Sequence, residues 1–215
     1  MFTTAVITIF TLIVLLFSVI IHELAHGYVA FSLGDPTAKY ACRLTLNPLK
    51  HLDPFGSVIL PLILLLATGG QGPIFGWAKP VPINPYNFKD QKWGTLKVAI
   101  SGPATNFAIA IIFGLFIRFL NFPGPEGTPA PLIQLLGIVV LYNFFWGLFN
   151  LIPVPPLDGS WILFRFLPSS WEGIRLFLQQ YGLFILIFFI FFGAGFLFDG
   201  ASFLYYLVTG LWGLI

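Results

Sequence analysis

The sequence predicts an all-α polytopic membrane protein, with about five to six transmembrane or re-entrant helices and a small extended or β element near residues 72–92. Its composition is one indication: 58% of the 215 residues are hydrophobic and only 8% are charged, whereas charged residues form about a quarter of soluble proteins. Another is the recurrence of apolar runs of about 20 residues, the length that a helix needs to cross a bilayer. The 26 Phe side chains fit an exterior that faces lipid.

Four apolar runs are predicted to form membrane-spanning helices. They cover about residues 4–31, 96–120, 132–151 and 178–198. The first run ends near Gly34-Asp35-Pro36, a typical helix stop. Residues 57–67 are strongly apolar but short for a span, so they are predicted either to dip into the membrane and return or to pair with a second crossing. Residues 201–215 are a candidate for a fifth, short span.

The segments between these runs contain proline and glycine in patterns that disfavour continuous helix. Residues 75–83 include two prolines, and each proline biases its predecessor away from helix, so this segment is predicted to be extended. A proline-rich break follows the third span, and residues 157–167 are predicted to form a short helix. No linker or repeat divides the chain. We therefore expect a single integral membrane domain over residues 1–215, with a core of about residues 1–167 and additional helices in about residues 171–215.

Basic residues are concentrated on one side of the predicted topology. Seven of the ten Lys and Arg residues lie between Lys39 and Lys97, and loops rich in Lys and Arg near span ends tend to stay in the cytoplasm. We therefore expect a multi-pass protein of the cell membrane, with this stretch on the cytoplasmic side and the loop at residues 121–131 outside. No basic run or base-stacking motif accompanies these charges, so nucleic-acid binding is not expected. The single cysteine, Cys42, excludes an internal disulfide and a cysteine-based zinc finger.

The motif His22-Glu23-Leu24-Ala25-His26 lies near the end of the first apolar run. Positions four apart share one face of a helix, so the two imidazoles can bind one zinc ion. The glutamate beside the first histidine then acts on the attacking water as a general base. A chance match is the alternative, but burying these side chains in lipid costs free energy, and ionisable residues there are functional by default. The motif therefore predicts a hydrolytic zinc centre inside the membrane.

A catalytic zinc ion usually has three protein ligands and one open position, so a third ligand is expected elsewhere in the chain. Asp158 is the favoured candidate, because it follows a spanning helix and a proline-rich break that can turn the chain back to the depth of the motif. His51 and Asp53 remain alternatives. Asp158 could instead be the N-cap of the short helix that follows it. His51 could be a loop histidine at the membrane interface, or a gate or substrate contact.

Three motifs together resemble the site-2 protease family of intramembrane zinc metalloproteases, in its compact prokaryotic form without PDZ or nucleotide-sensing domains. They are His22–His26, Gly102-Pro103-Ala104-Thr105-Asn106, and the run Asn150–Gly159 that follows a predicted span. The third motif makes the resemblance specific, since the first is shared with many soluble proteases. The resemblance implies a zinc-dependent endopeptidase that hydrolyses peptide bonds in or near transmembrane segments, in regulated intramembrane proteolysis or in clearance of signal-peptide remnants.

The resemblance also implies roles for individual residues. One zinc ion per chain would be held by His22, His26 and Asp158. Glu23 would be the general base. Asn150 would act near the metal as a polar partner of the substrate or the oxyanion, so Glu23 and Asn150 are the predicted catalytic residues.

The substrate is expected to be a membrane protein whose transmembrane segment is unwound within the lipid bilayer, because a helix hides its carbonyls in its own hydrogen bonds. Residues 74–83 could pair with this substrate as an added strand. Asn106 and Asn143 are expected to hydrogen-bond a neighbouring helix, although a functional role stays open. Two functions of other classes remain, a membrane metal transporter and a non-proteolytic membrane scaffold that would tolerate loss of Glu23. The sequence does not indicate an oligomeric state.

Overall fold

The computed structural model describes residues 4–68, 78–120 and 131–212, which form a bundle of α-helices. In chain order the helices are α1 (Thr4–Ser32), α2 (Thr37–Tyr40), α3 (Leu60–Thr68), α4 (Gly94–Leu120), α5 (Pro131–Asn150), α6 (Asp158–Phe166) and α7 (Glu172–Thr209). Helices α1, α4, α5 and α7 are each long and apolar enough to cross a membrane. The predicted all-α membrane fold is confirmed, and the first three predicted spans agree with α1, α4 and α5 to within two residues.

Helix α7 differs from the prediction of a fourth span followed by a separate short one. It is continuous over 38 residues, so residues 201–209 extend the fourth helix and do not form a fifth. Gly200, at the predicted boundary, stays helical because α7 packs on α5 there, and one glycine costs only about 1 kcal/mol relative to alanine. The helix ends where Gly210 adopts a left-handed conformation with φ of 76°, a common helix C-terminus.

Helix α4 lies at the centre of the bundle and contacts α1, α5, α6 and α7. Its C-terminal half packs with α5 and α7 in an apolar core whose buried residues are Ala110, Ile117, Ile133, Val140, Leu141, Phe144, Ala201 and Tyr205. Small residues permit this approach, since a Cβ on Gly114 would lie 2.7 Å from Val208 Cγ1. The outer faces of α1 and α7 expose large apolar side chains such as Ile9 and Phe192. Such surfaces suit contact with lipid.

The described residues on either side of the apolar stretch after α2 lie next to each other. Asp53 caps a π-helical turn at Pro54–Ile59 by accepting hydrogen bonds from two of its backbone N–H groups, and α3 follows. Leu52 then pairs with Ala78 in an isolated antiparallel bridge. Helix α3 has nine residues and is about 14 Å long, half the ~30 Å that a bilayer core requires. The π-helical turn and α3 together have 15 residues, fewer than the about 20 that a span requires, which agrees with the re-entrant alternative for residues 57–67.

The extended element predicted near residues 72–92 is present from residue 78. Residues 72–77 lie outside the described part of the chain. The bridge at Ala78 is the one β pairing among the described residues, and the next residue, Lys79, donates its N–H to the His51 carbonyl at 2.8 Å. The chain then continues as non-helical backbone to Asn84, as its prolines predict.

A buried carboxylate, that of Asp35, anchors this non-helical segment to the end of α1. It accepts hydrogen bonds from the backbone N–H of Asn84 at 2.7 Å and from the side-chain amide of Asn87 at 2.8 Å. Burial by itself raises the pKa of Asp35, but the hydrogen bonds from these two residues and from Thr37 outweigh it and hold the pKa below its usual range. The anchor fixes the segment beside the histidine motif of α1.

Candidate metal centre

Three potential metal ligands from distant parts of the sequence meet inside the bundle. His22 and His26 lie one turn apart on α1, both buried, with their Nε2 atoms 3.0 Å apart. Asp158 is the first residue of α6 and places its Oδ2 3.0 Å from His22 Nε2 and 3.1 Å from His26 Nε2. Among the residues that the structure describes, this is the one group of His, Cys, Asp or Glu side chains close enough together to hold a metal ion.

The start of α6 is brought to the histidines by a close contact with the end of α5. A Cβ on Gly159 would collide with the backbone carbonyls of Leu151 and Ile152, so this approach requires glycine. The N-cap position of α6 is Leu157 and not Asp158, so the alternative role of Asp158 as an N-cap does not apply. The chain returns to the depth of the histidine motif, as the proline-rich break predicts.

A chain of hydrogen bonds fixes the tautomer of His22. The Val139 carbonyl can only accept, so Asn143 turns its Nδ2 toward it (2.9 Å) and presents Oδ1 to Asn106 Nδ2 (2.9 Å). Asn106 Oδ1, which also can only accept, then lies 2.7 Å from His22 Nδ1. The proton of the imidazole therefore resides on Nδ1, and the Nε2 lone pair faces Asp158.

His26 is oriented in the same way by a backbone carbonyl. Its Nδ1 lies 2.7 Å from the carbonyl oxygen of Val98 on α4, so Nδ1 carries the proton and Nε2 keeps its lone pair. Two imidazole lone pairs and the Asp158 carboxylate oxygen thus converge within about 3 Å of one another. Three acceptors at this separation repel one another unless a cation lies between them.

Where α4 faces the two histidines, at Gly102, it presents backbone without a side chain. A Cβ on Gly102 would lie 2.5 Å from His26 Nε2 and 2.6 Å from His22 Nε2, so glycine keeps the space beside the ligand atoms open. Two imidazole nitrogens and one carboxylate oxygen form a donor set typical of a catalytic zinc ion with one open position. The residues present therefore fit zinc.

Glu23 lies beside the ligands without joining them. Its Oε2 accepts a hydrogen bond from the backbone N–H of Val81 at 2.7 Å. It also lines a cavity of about 260 Å³ together with His26, Asp158, Trp161 and residues of the segment at Pro80–Ile83. A carboxylate at the wall of a cavity that also reaches two of the three ligands can act on a water molecule or a substrate held there.

The other residues singled out from the sequence are not among the three ligands. Asn150, at the end of α5, donates its Nδ2 to the Trp146 carbonyl at 3.0 Å and does not line the cavity, so its role at the oxyanion stays a prediction. His51 is buried, with Nε2 2.8 Å from the Thr45 carbonyl. Asp53 caps the turn before α3. Neither of these two alternatives belongs to the ligand group.

Three contributions to the site were not predicted from the sequence: the hydrogen bond from His26 to Val98, the bare backbone at Gly102, and the orientation of His22 by Asn106. The sequence does contain one signal for these contributions. Val98, Gly102 and Asn106 are spaced four apart on α4 and therefore share one face of the helix. The hydrogen bond between Glu23 and Val81 had no comparable signal, since it joins residues that are 58 positions apart.

The chain matches a family model described as Peptidase family M50 over residues 10–130 and 126–193. It is 39% identical over 181 residues to the "Putative zinc metalloprotease YwhC" of Bacillus subtilis (strain 168), which covers 83% of this chain and 78% of that relative. It is 31% identical over 172 residues to the "Putative zinc metalloprotease MJ0611" of Methanocaldococcus jannaschii, covering 78% of this chain and 75% of the relative.

A third relative is the "Putative zinc metalloprotease Rip2" of Mycolicibacterium smegmatis. It is 30% identical over 179 residues, which cover 80% of this chain and 62% of the relative. No solved structure matches the chain.

Proposed function

The chain belongs to peptidase family M50 and is a membrane-bound zinc metalloprotease, and we propose that it is an intramembrane endopeptidase. The predicted resemblance, hydrolase class and zinc cofactor are thereby confirmed. The proposal is supported by the position of His22 and His26 on α1, a helix long and apolar enough to cross a membrane. His26 precedes the end of α1 at Ser32 by six residues, about 9 Å along the helix axis. A peptide bond that reaches this centre would be cleaved below the membrane surface.

The residues of the site have different roles in hydrolysis. His22, His26 and Asp158 would hold the zinc ion, which when bound supplies Lewis-acid chemistry that makes water nucleophilic near neutral pH and polarises a carbonyl. Glu23 is not a ligand, so its carboxylate can take the proton of the attacking water as the C–O bond forms. Glu23 then passes that proton to the amine nitrogen as the C–N bond breaks.

We expect the substrate to be an unwound transmembrane segment of another membrane protein, because a helix keeps its carbonyls in its own hydrogen bonds. The first four residues of the proposed strand-pairing segment, 74–83, lie outside the described part of the chain. Further along, the N–H groups of Lys79 and Val81 are used within the protein, and Pro80 and Pro82 have none. From Lys79 to Pro82 the segment can therefore offer only carbonyl acceptors, so a substrate strand added there would have to donate its own N–H groups.

The orientation in the membrane belongs to the same proposal. The C-terminus of α1, the N-terminus of α4 and the segment anchored by Asp35 lie at one end of the bundle, and the metal centre is nearer this end than the other. We propose that this end faces the cytoplasm, because seven of the ten basic residues lie between Lys39 and Lys97. The cavity beside Glu23 would then receive water from the cytoplasmic side.

A metal transporter and an inactive scaffold are less consistent with the site. A transporter usually places polar residues along a path, whereas the potential ligands among the described residues converge at one point. A scaffold would have no use for Glu23, whose carboxylate is held beside the ligands.

The proposal is tested by reconstituting the protein in lipid vesicles with a single-span model substrate and mapping the cleaved bond by mass spectrometry. The wild type is expected to cut in or near the transmembrane segment. Glu23→Gln keeps the size of the side chain but cannot take the proton, so it should cut at least about 100-fold more slowly with zinc still bound. Cleavage confined to the water-soluble part of the substrate would contradict the intramembrane assignment. Equal rates for both proteins would show that Glu23 is not the base.

A further inference from the structure

We propose that the backbone N–H of Val81 positions the catalytic base. It donates to Glu23 Oε2 at 2.7 Å, in a part of the chain that is far from the histidine motif in sequence. The inference rests on the proposed peptidase function, because a positioning group matters only if Glu23 transfers protons. Val81 is thus a positioning residue that acts through Glu23 and need not touch the substrate.

The Glu23 side chain needs such a partner because α1 fixes only its Cα. Three rotatable bonds separate the backbone from the carboxylate, and ordering a long side chain costs about 1–2 kcal/mol. A charge-assisted hydrogen bond to Oε2 fixes one oxygen at the cavity wall. The other oxygen, Oε1, is then available to a water molecule in the cavity. Proton transfer requires this kind of fixed geometry, since a misplacement of about 1 Å can lower a rate by about 100-fold.

Val81 can serve this purpose because its own position is fixed. It precedes Pro82, so its backbone is restricted to extended conformations. On one side of Val81, the N–H of Lys79 donates a hydrogen bond to the His51 carbonyl. On the other side, the N–H of Asn84 donates one to the Asp35 carboxylate. The segment is therefore tied to the protein on both sides of the N–H that meets Glu23.

The side chain of Val81 also packs closely on α1. It is 5% exposed, and a Cβ on Gly27 would lie 3.0 Å from Val81 Cγ1. The glycine lets the segment approach the helix that carries Glu23, while Pro80, Val81 and Ile83 form one wall of the cavity. The wall of the cavity and the base are thus coupled through one hydrogen bond.

Val81→Pro tests the inference, because it removes the N–H at a residue that already precedes a proline and is therefore biased to extended backbone. Val81→Ala is the matched control, since it trims the side chain and keeps the N–H. We expect Val81→Pro to keep its zinc and its KM for a transmembrane substrate while kcat falls about 10- to 100-fold. Val81→Ala should keep a kcat at least about threefold above that of Val81→Pro, because its N–H still orients Glu23. Equal kcat for the two variants, a faster Val81→Pro protein or loss of its zinc would each overturn the inference.

A double variant separates positioning from a general structural effect. If the N–H acts only through Glu23, Glu23→Gln combined with Val81→Pro should be as slow as Glu23→Gln alone, because the two changes remove one function. A further drop of 10-fold or more in the double variant would contradict this. Failure of the proposed function would be recognised separately, as cleavage confined to the water-soluble part of the substrate, whereas equal cleavage by the wild type and Glu23→Gln would overturn this inference.

Discussion

One stripe of residues spaced four apart runs along α4, and the two halves of this stripe have different roles. In the first half, the Val98 carbonyl, the bare backbone of Gly102 and the Asn106 side chain each act on a histidine of α1. In the second half, Ala110 and Gly114 continue the stripe and pack in the apolar core with α5 and α7. The same periodicity therefore supports a metal centre at one end of the helix and close packing at the other.

The two glycines of this stripe show how the two halves of α4 differ in their response to an added side chain. A Cβ on Gly102 would lie 2.5 Å from His26 Nε2, and one on Gly114 would lie 2.7 Å from Val208 Cγ1. The valine methyl belongs to an apolar side chain that can shift, whereas His26 is held from its other side by a carbonyl. One added methyl group should thus remove function in the first half and only stability in the second.

The largest effect is expected for Gly102→Ala. Its methyl group would occupy the space beside the ligand atoms, so the variant should lose most of its zinc and cleave at least about 100-fold more slowly. Gly114→Ala is the control: it should lose about 1–3 kcal/mol of stability through overpacking but keep its zinc. Metal analysis and thermal unfolding of both variants measure these outcomes. A Gly102→Ala protein with full zinc content would remove the distinction between the two halves.

A smaller effect is expected when the hydrogen-bond chain to His22 is broken. Asn106→Ala should weaken zinc binding about 10- to 100-fold, as is typical when the partner of a metal-bound histidine is removed. Asn143→Ala should weaken it less, because Asn106 Nδ2 is also within 3.3 Å of the Ser18 carbonyl. Titration of each protein with a chelator gives the two affinities. If Asn106→Ala holds zinc as tightly as the wild type, the orientation of His22 does not depend on this chain.

The smallest effect concerns the anchor that holds the segment beside the first half of α4. Because the folded-state pKa of Asp35 is lowered, its contribution to stability is present above the unfolded pKa of about 3.9. It is lost as the pH falls through the lower folded-state pKa. Asp35→Asn should therefore be less stable than the wild type at pH 7, by about 1–3 kcal/mol, and the difference should shrink on acidification.

Asp90→Asn is the control for this pH dependence. Hydrogen bonding to Lys97 lowers the pKa of Asp90 as well, but the pair is exposed to solvent and salt screens it. Unfolding curves at several pH values and salt concentrations distinguish the two carboxylates. A stability difference for Asp35→Asn that does not change between pH 7 and pH 3 would contradict the role of its charge.

The sequence predicts the parts of this molecule that depend on local pattern. Apolar length identifies α1, α4 and α5, and the spacing of His22 and His26 identifies the metal-binding face of α1. Asp158 could be singled out because a break after a span can return the chain to the same depth. The continuity of α7 could not be predicted from the sequence. Glycine has a low helix propensity, and Gly200 is held in the helix by packing on α5.

Contacts between distant segments were beyond the reach of such patterns. The hydrogen bond from the Val81 N–H to Glu23 depends on how a non-helical segment packs against α1. The motif of Asn150 predicts a place near the metal; its Nδ2 donates to the preceding turn of α5, and its role stays a prediction. The bare face at Gly102 follows from the distance between two helices, which sequence spacing does not give.

The most direct test of this account is the zinc content of Asp158→Ala beside two other variants that each remove a carboxylate. Glu23→Gln changes the base, and Asp199→Ala changes an exposed acidic residue of α7. The wild type and these two variants should each contain one zinc ion per chain, because all three ligands remain. Asp158→Ala should lose most of its zinc, since two histidines alone leave the site short of a ligand. Near-stoichiometric zinc in Asp158→Ala, or loss of zinc from Glu23→Gln, would contradict the assignment of ligands and base.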